Sequence, residues 1–122
     1  MKPHKKDVQV LMASAARTAT STVSFVSGSM GCLLFINATA ASATPSVVFT
    51  LQGVDPASDA TYTILASAAI TGTGQTILRV HPELTGATNT IAKDMLPHAM
   101  KLVATHGDAD SITYSVGFVG VD

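Results

Sequence analysis

The feature that most restricts what this chain can fold into is a two-residue rhythm of apolar and polar side chains, clearest over residues 46–54. Val47, Phe49 and Leu51 alternate there with Val48, Thr50 and Gln52, as they must in an extended strand with one buried face. Similar signals recur along the chain, each closed by Gly, Pro, Asp or Ser. Residues 8–13 put Val8, Val10 and Met12 on one face, and residues 21–26 do the same for Val23 and Phe25 before Ser27-Gly28-Ser29 breaks the run. Residues 31–39 contain Cys32-Leu33-Leu34-Phe35-Ile36, which does not alternate. Such a run reads as a central strand covered on both faces, either by its own sheet neighbours or by a partner.

Asp55-Pro56-Ala57-Ser58-Asp59 is a turn by composition. Residues 61–67 return from it to form a hairpin, with Tyr62, Ile64 and Ala66 aligned. Gly72-Thr73-Gly74 separates this hairpin from a strand over residues 75–81. Residues 82–97 are the least regular part; they predict one helical turn around residues 91–95, stopped by Pro97. Strands over residues 99–106 and 111–121 flank a Gly107-Asp108-Ala109-Asp110 turn, the last with Ile112, Tyr114, Val116 and Phe118 in line. About eight short strands at this spacing predict an all-β fold, a single-domain antiparallel β-sandwich or a jelly-roll-like barrel.

With 122 residues the chain suffices for one hydrophobic core. The expected organisation is a flexible basic arm over residues 1–7 and one β-domain over residues 8–122. Charged residues make up only 12% of the chain and the formal net charge is −1, so the whole molecule has no electrostatic reason to seek nucleic acid or an anionic membrane. The one basic cluster is Lys2, His4, Lys5 and Lys6. Cys32, the single cysteine, cannot form an internal disulfide and reads as a small core residue. Asp7 and Gln9 interrupt the only stretch that could pass for a secretion signal, and no run nears the roughly 20 apolar residues of a membrane span. The expectation is a soluble protein made in the cytoplasm of its producing cell.

Candidate chemistry is thin. His106, Asp108 and Asp110 are the one dense group of potential ligands, but no glutamate follows to complete a calcium loop; a turn whose carboxylates cap backbone N–H groups is the simpler reading. Gly72 and Gly74 precede no helix that could point its N-terminus at a phosphate. His4, His81 and His98 are scattered, and no nucleophile elbow is present. Asn37-Ala38-Thr39 fits a glycosylation acceptor, which matters only in a secreted eukaryotic chain. Aromatic residues are 5% and Trp is absent, leaving few platforms for sugars or bases; Tyr62 and Tyr114 are expected at the edge of the core. No enzyme activity, metal or cofactor is expected.

The stretch from Ala40 through Thr44-Pro45-Ser46-Val47-Val48-Phe49-Thr50-Leu51-Gln52-Gly53-Val54-Asp55-Pro56, then Tyr62-Thr63-Ile64-Leu65 and Ile70-Thr71-Gly72-Thr73-Gly74, resembles a group of small virion proteins of tailed bacteriophages. Leu96-Pro97 and Thr105-His106-Gly107-Asp108-Ala109-Asp110-Ser111-Ile112-Thr113-Tyr114-Ser115-Val116 extend the likeness, which covers roughly residues 31–120. The resemblance implies a capsid decoration (cement) protein on the outer shell, commonly a homotrimer, that bridges major capsid protein subunits; a tail, neck or baseplate component is the alternative, and a host-surface adhesin a more distant one. In that setting Lys2, Lys5 and Lys6 are the candidate capsid contacts, and Leu84, Ile91 and Met95 the candidate self-association loop. The implied partners are the capsid protein and further copies of the chain, with neither nucleic acid nor membrane.

Overall fold

The computed structural model describes residues 3–122, with side chains from Asp7 onward. Nine strands and no helix occur among the described residues: β1 (Pro3–Arg17), β2 (Ser21–Val26), β3 (Gly31–Ala41), β4 (Val47–Val54), β5 (Thr61–Ala66), β6 (Gly74–Val80), β7 (Ile91–Ala92), β8 (Ala99–His106) and β9 (Ile112–Val121). They form a five-stranded sheet in the order β1-β9-β3-β6-β7 and a four-stranded sheet in the order β2-β8-β4-β5. Two separate sheets make this a β-sandwich, not the closed barrel that the strand spacing also allowed.

The core lies between the sheets and follows the alternation. Cys32, Leu34 and Ile36 from β3, and Ile112, Tyr114, Val116 and Phe118 from β9, face Val47, Phe49 and Leu51 of β4 and Met100 and Leu102 of β8. Burying each large side chain contributes about 1.5–3 kcal/mol. Phe49 meets Tyr114 edge to face with ring centroids 4.9 Å apart, and Phe25 meets Phe118 at 5.2 Å, so aromatic contacts tie the two layers together.

One expectation about the elements changes, and two details of the strands are added. The helical turn predicted over residues 91–95 is absent; Ile91–Ala92 instead forms β7, captured by the edge of β6 through Arg79 N–H to Thr90 O (3.0 Å) and His81 N–H to Ala92 O (3.1 Å). The β6–β7 pair is parallel, so the fold is not purely antiparallel. β1 starts at Pro3, runs to Arg17 and breaks register with β9 at three places. The hairpin of β4 and β5 forms as read. Its turn is organised by Asp55, whose carboxylate accepts from Ala57 N–H and Ser58 Oγ–H, both at 2.9 Å. Those bonds hold the Asp55 carboxyl below its usual range.

Candidate functional site

Register places the N-terminal end of β1 beside Val121 and Gly31, at the end of the sandwich that also carries the loop following β2. A polar knot closes this end. Asp7 points inward, only 9% exposed, and its carboxylate accepts from Ser27 Oγ–H, from Ser29 Oγ–H at 2.5 Å and from Gln9 Nε2–H at 2.9 Å. Gln9 also donates to Val26 O at 2.9 Å, so β1 of one sheet is bound to the end of β2 in the other. Room for the knot comes from Gly120, where a Cβ would fall 2.1 Å from Ser29 Oγ and 2.3 Å from Asp7 Oδ2. Nearby Cys32 is buried; burial, with the Asp7 carboxylate adding to it, pushes its thiol up to about 12. It therefore stays protonated at neutral pH and is a packing residue, as read from sequence.

Two backbone bonds, Ser27 N–H to His98 O and Leu96 N–H to Met30 O, both 2.9 Å, fasten the loop after β2 to the segment before β8. Apolar side chains stand out of this seam: Val26 is 54% exposed, Met30 48% and Met95 59%. Of the three residues expected to mediate self-association, Met95 is the exposed one; Leu84 and Ile91 are half-buried. Of the expected capsid contacts, Lys2 lies outside the described residues, while the backbones of Lys5 and Lys6 belong to β1 and so start from this same end.

The second polar cluster is at the far end of β1 and β9. Tyr114 is fully buried, not at the core edge as expected, and its Oη is 2.9 Å from His106 Nε2. The Arg17 guanidinium lies 4.6 Å from the Tyr114 ring centre and donates to Tyr114 O (2.7 Å) and Ala13 O (2.6 Å). Tyr62 does sit at the edge, over Gly53, where a Cβ would fall 2.3 Å from its ring. His106 Nδ1 is buried without a hydrogen-bond partner.

His106, Asp108 and Asp110 are not gathered on a common point. His106 turns to Tyr114, Asp108 accepts from Asp110 N–H at 3.1 Å, and Asp110 accepts from Thr44 N–H at 3.2 Å. Among the described residues no three His, Cys, Asp or Glu side chains are placed to share a metal ion. A depression of about 430 Å³ between β2, β4 and β8 is open and lined mainly by apolar groups such as Phe25, Val26, Val54 and Met100, with Lys101 at its wall.

Burial holds the His106 imidazole below its ordinary value of 6.5, with Arg17 acting in the same direction and Asp108 opposing. Between that lowered value and 6.5 the folded chain binds fewer protons than the unfolded one, so the histidine's contribution is present above 6.5 and is lost as pH falls through its folded pKa. Proton NMR titration should show one imidazole with a midpoint below its value in urea, and His106→Gln should delete that resonance. A midpoint at or above the unfolded value would contradict this account of the cluster.

No protein-family model matches the chain, and no curated protein matches it.

Proposed function

We propose that this protein is a capsid decoration (cement) protein of a tailed bacteriophage, binding the outside of the shell and bridging major capsid protein subunits. The observation that carries the reading is the composition of one end of the sandwich. There the basic start of β1, with Lys5 and Lys6, leaves from the same end as exposed Val26, Met30 and Met95. Cations give long-range attraction to an acidic shell surface, and methionines adapt to an apolar one. A rigid body suits a clamp, and this one is tied across its two sheets by the Asp7 knot and the Tyr114 cluster. The phage resemblance supplies the setting, including assembly of several copies, for which it favours a trimer.

The test is to count the protein in purified particles on a quantitative gel and to heat particles made without it. Shell decoration predicts hundreds of copies per virion and loss of the genome at a lower temperature when the protein is missing. Substituting Lys2, Lys5 and Lys6 together by alanine should lower occupancy, and added salt should reduce the difference from the unchanged chain. A few to tens of copies with unchanged heat resistance would assign the protein to the tail, neck or baseplate instead.

A further inference from the structure

Three of the four sheet edges are defended against the addition of a further strand. β1 breaks register with β9 at three places, and its Arg17 guanidinium covers Ala13 O and Ala15 O. β5 slips against β4 between Leu65 and Thr63, and β7 is only two residues long. β2 has none of these devices. It pairs with β8 over six consecutive residues without a break, and Ser21-Thr22-Val23-Ser24-Phe25-Val26 contains neither proline nor charge.

Register tells which backbone groups of β2 point away from the sheet. Ser27 N–H donates to His98 O, so in this antiparallel ladder the backbone of residues 21, 23 and 25 faces β8 and that of residues 22, 24 and 26 faces outward. Gln9 agrees, since its amide reaches Val26 O from outside the ladder. The N–H and C=O of Thr22 and of Ser24, and the N–H of Val26, are then without a partner among the described residues, and all three residues are exposed. On the outer face beside this edge Lys101 stands opposite Ser24, half-buried and with no hydrogen bond or ion pair among the described residues. Its neighbours Ser24, Gln52, Ala99 and Val103 carry no negative charge to balance it. Ala99, which is small, forms the floor of the open depression, with Val26 and Val54 at its walls.

We propose that β2 takes an extended, acidic segment of a partner protein as a fifth strand of the four-stranded sheet. The backbone of the segment satisfies the outward groups of Thr22, Ser24 and Val26, and its side chains choose it. A strand added at the usual spacing lies about 10 Å from β8, so a glutamate opposite Ser24 crosses that small side chain to meet the Lys101 ammonium. Two residues along, on the same face, an apolar side chain packs against Val26 at the rim of the depression. The charge of Lys101 is what selects an acidic segment over a second copy of β2, which is uncharged. Such a contact is small, and repetition on a multivalent surface multiplies it. The edge site stands without the shell reading, which supplies only the capsid protein as owner of the segment.

The probe is a short capped peptide alternating valine and glutamate, titrated into the isotope-labelled full chain. A dissociation constant of about 0.1–1 mM is expected, with the largest amide shifts at Thr22, Ser24 and Val26. Exchanging glutamate for lysine in the peptide, or methylating the backbone nitrogens that face β2, should weaken binding at least about fivefold. Lys101→Glu should reverse the preference between the two peptides. Ser24→Pro removes an outward N–H and no rung to β8, at a place where an edge strand tolerates proline, and should weaken binding to a similar degree. The methylated peptide leaves the protein unchanged, so the result does not hang on how a variant folds. No shift at these amides with about 5 mM peptide, equal binding of the acidic and basic peptides, or a dimer formed through the same amides without peptide would overturn the proposal. Peptide binding with undiminished occupancy of particles by Ser24→Pro would keep the edge site and remove the capsid protein as its partner; normal decoration by a chain that ignores the peptide refutes the edge site alone.

Discussion

Replacing Tyr114 by alanine is expected to lower the unfolding free energy by about 3–5 kcal/mol, the range for removing a large aromatic side chain from a close-packed core. The figure belongs at this position because Tyr114 is wholly buried and serves both sheets. Its ring meets Phe49 of the other layer at 89° and 4.9 Å, and it lies beneath the Arg17 guanidinium. A domain of this size has a total stability of about 6–18 kcal/mol, so the variant loses a large fraction of it. Urea denaturation at pH 8 measures the change, and a loss under about 1 kcal/mol would mean that the ring is not the joint between the layers.

Tyr114→Phe separates the ring from the hydroxyl. It keeps the aromatic contacts and removes the partner of His106 Nε2, on an imidazole whose Nδ1 is already without one. The expected cost is about 1–3 kcal/mol. The hydroxyl also has its own pH signature: burial pushes the Tyr114 phenol above its ordinary value of 10.0. Its stabilising effect is therefore complete below pH 10 and is lost as pH rises through the higher folded value, a loss that the phenylalanine variant should not show.

The alternation of Val47, Phe49 and Leu51, and of Ile112, Tyr114, Val116 and Phe118, made β4, β9 and their buried faces legible because burial on one side leaves a period of two in the sequence itself. What the sequence hid depends on register between distant strands. β7 is two residues long and exists because the edge of β6 offers Arg79 and His81 N–H groups; nothing in Ile91-Ala92 announces that. Tyr114 reads as an edge residue because its hydroxyl suggests water, yet His106, the last residue of β8, lies within hydrogen-bond reach of that hydroxyl in the fold. Asp7 looks like one of two residues that interrupt a signal-like stretch, and Ser27-Gly28-Ser29 like a plain strand breaker. Only the pairing of β1 with β9 and the closeness of β2 bring them together, so neither segment carries a local sign of the other. The unbroken run in β3 was half legible: Leu34 and Ile36 are buried in the core, while Leu33 and Phe35 are half-buried on the other face of the sheet.

The Asp7 knot makes the second large effect a matter of coupling. Gly120→Ala is expected to destabilise the fold by about 2–4 kcal/mol, since overpacking alone costs about 1–3 kcal/mol and the new methyl also drives Asp7 and Ser29 off their hydrogen bond. Asp7→Ala leaves the Ser27 and Ser29 hydroxyls without their acceptor, at about 1–3 kcal/mol for each buried donor. Performed together, the two changes should cost less than their sum by at least about 1 kcal/mol. With Asp7 already gone, one of the two side chains in the way of the methyl is missing, and the bond it would have broken no longer exists. Ser29 Oγ still stands 2.1 Å from the added Cβ, so Gly120→Ala should retain part of its cost in that background. Strict additivity in a double-mutant cycle would mean that Gly120 and Asp7 do not share this space.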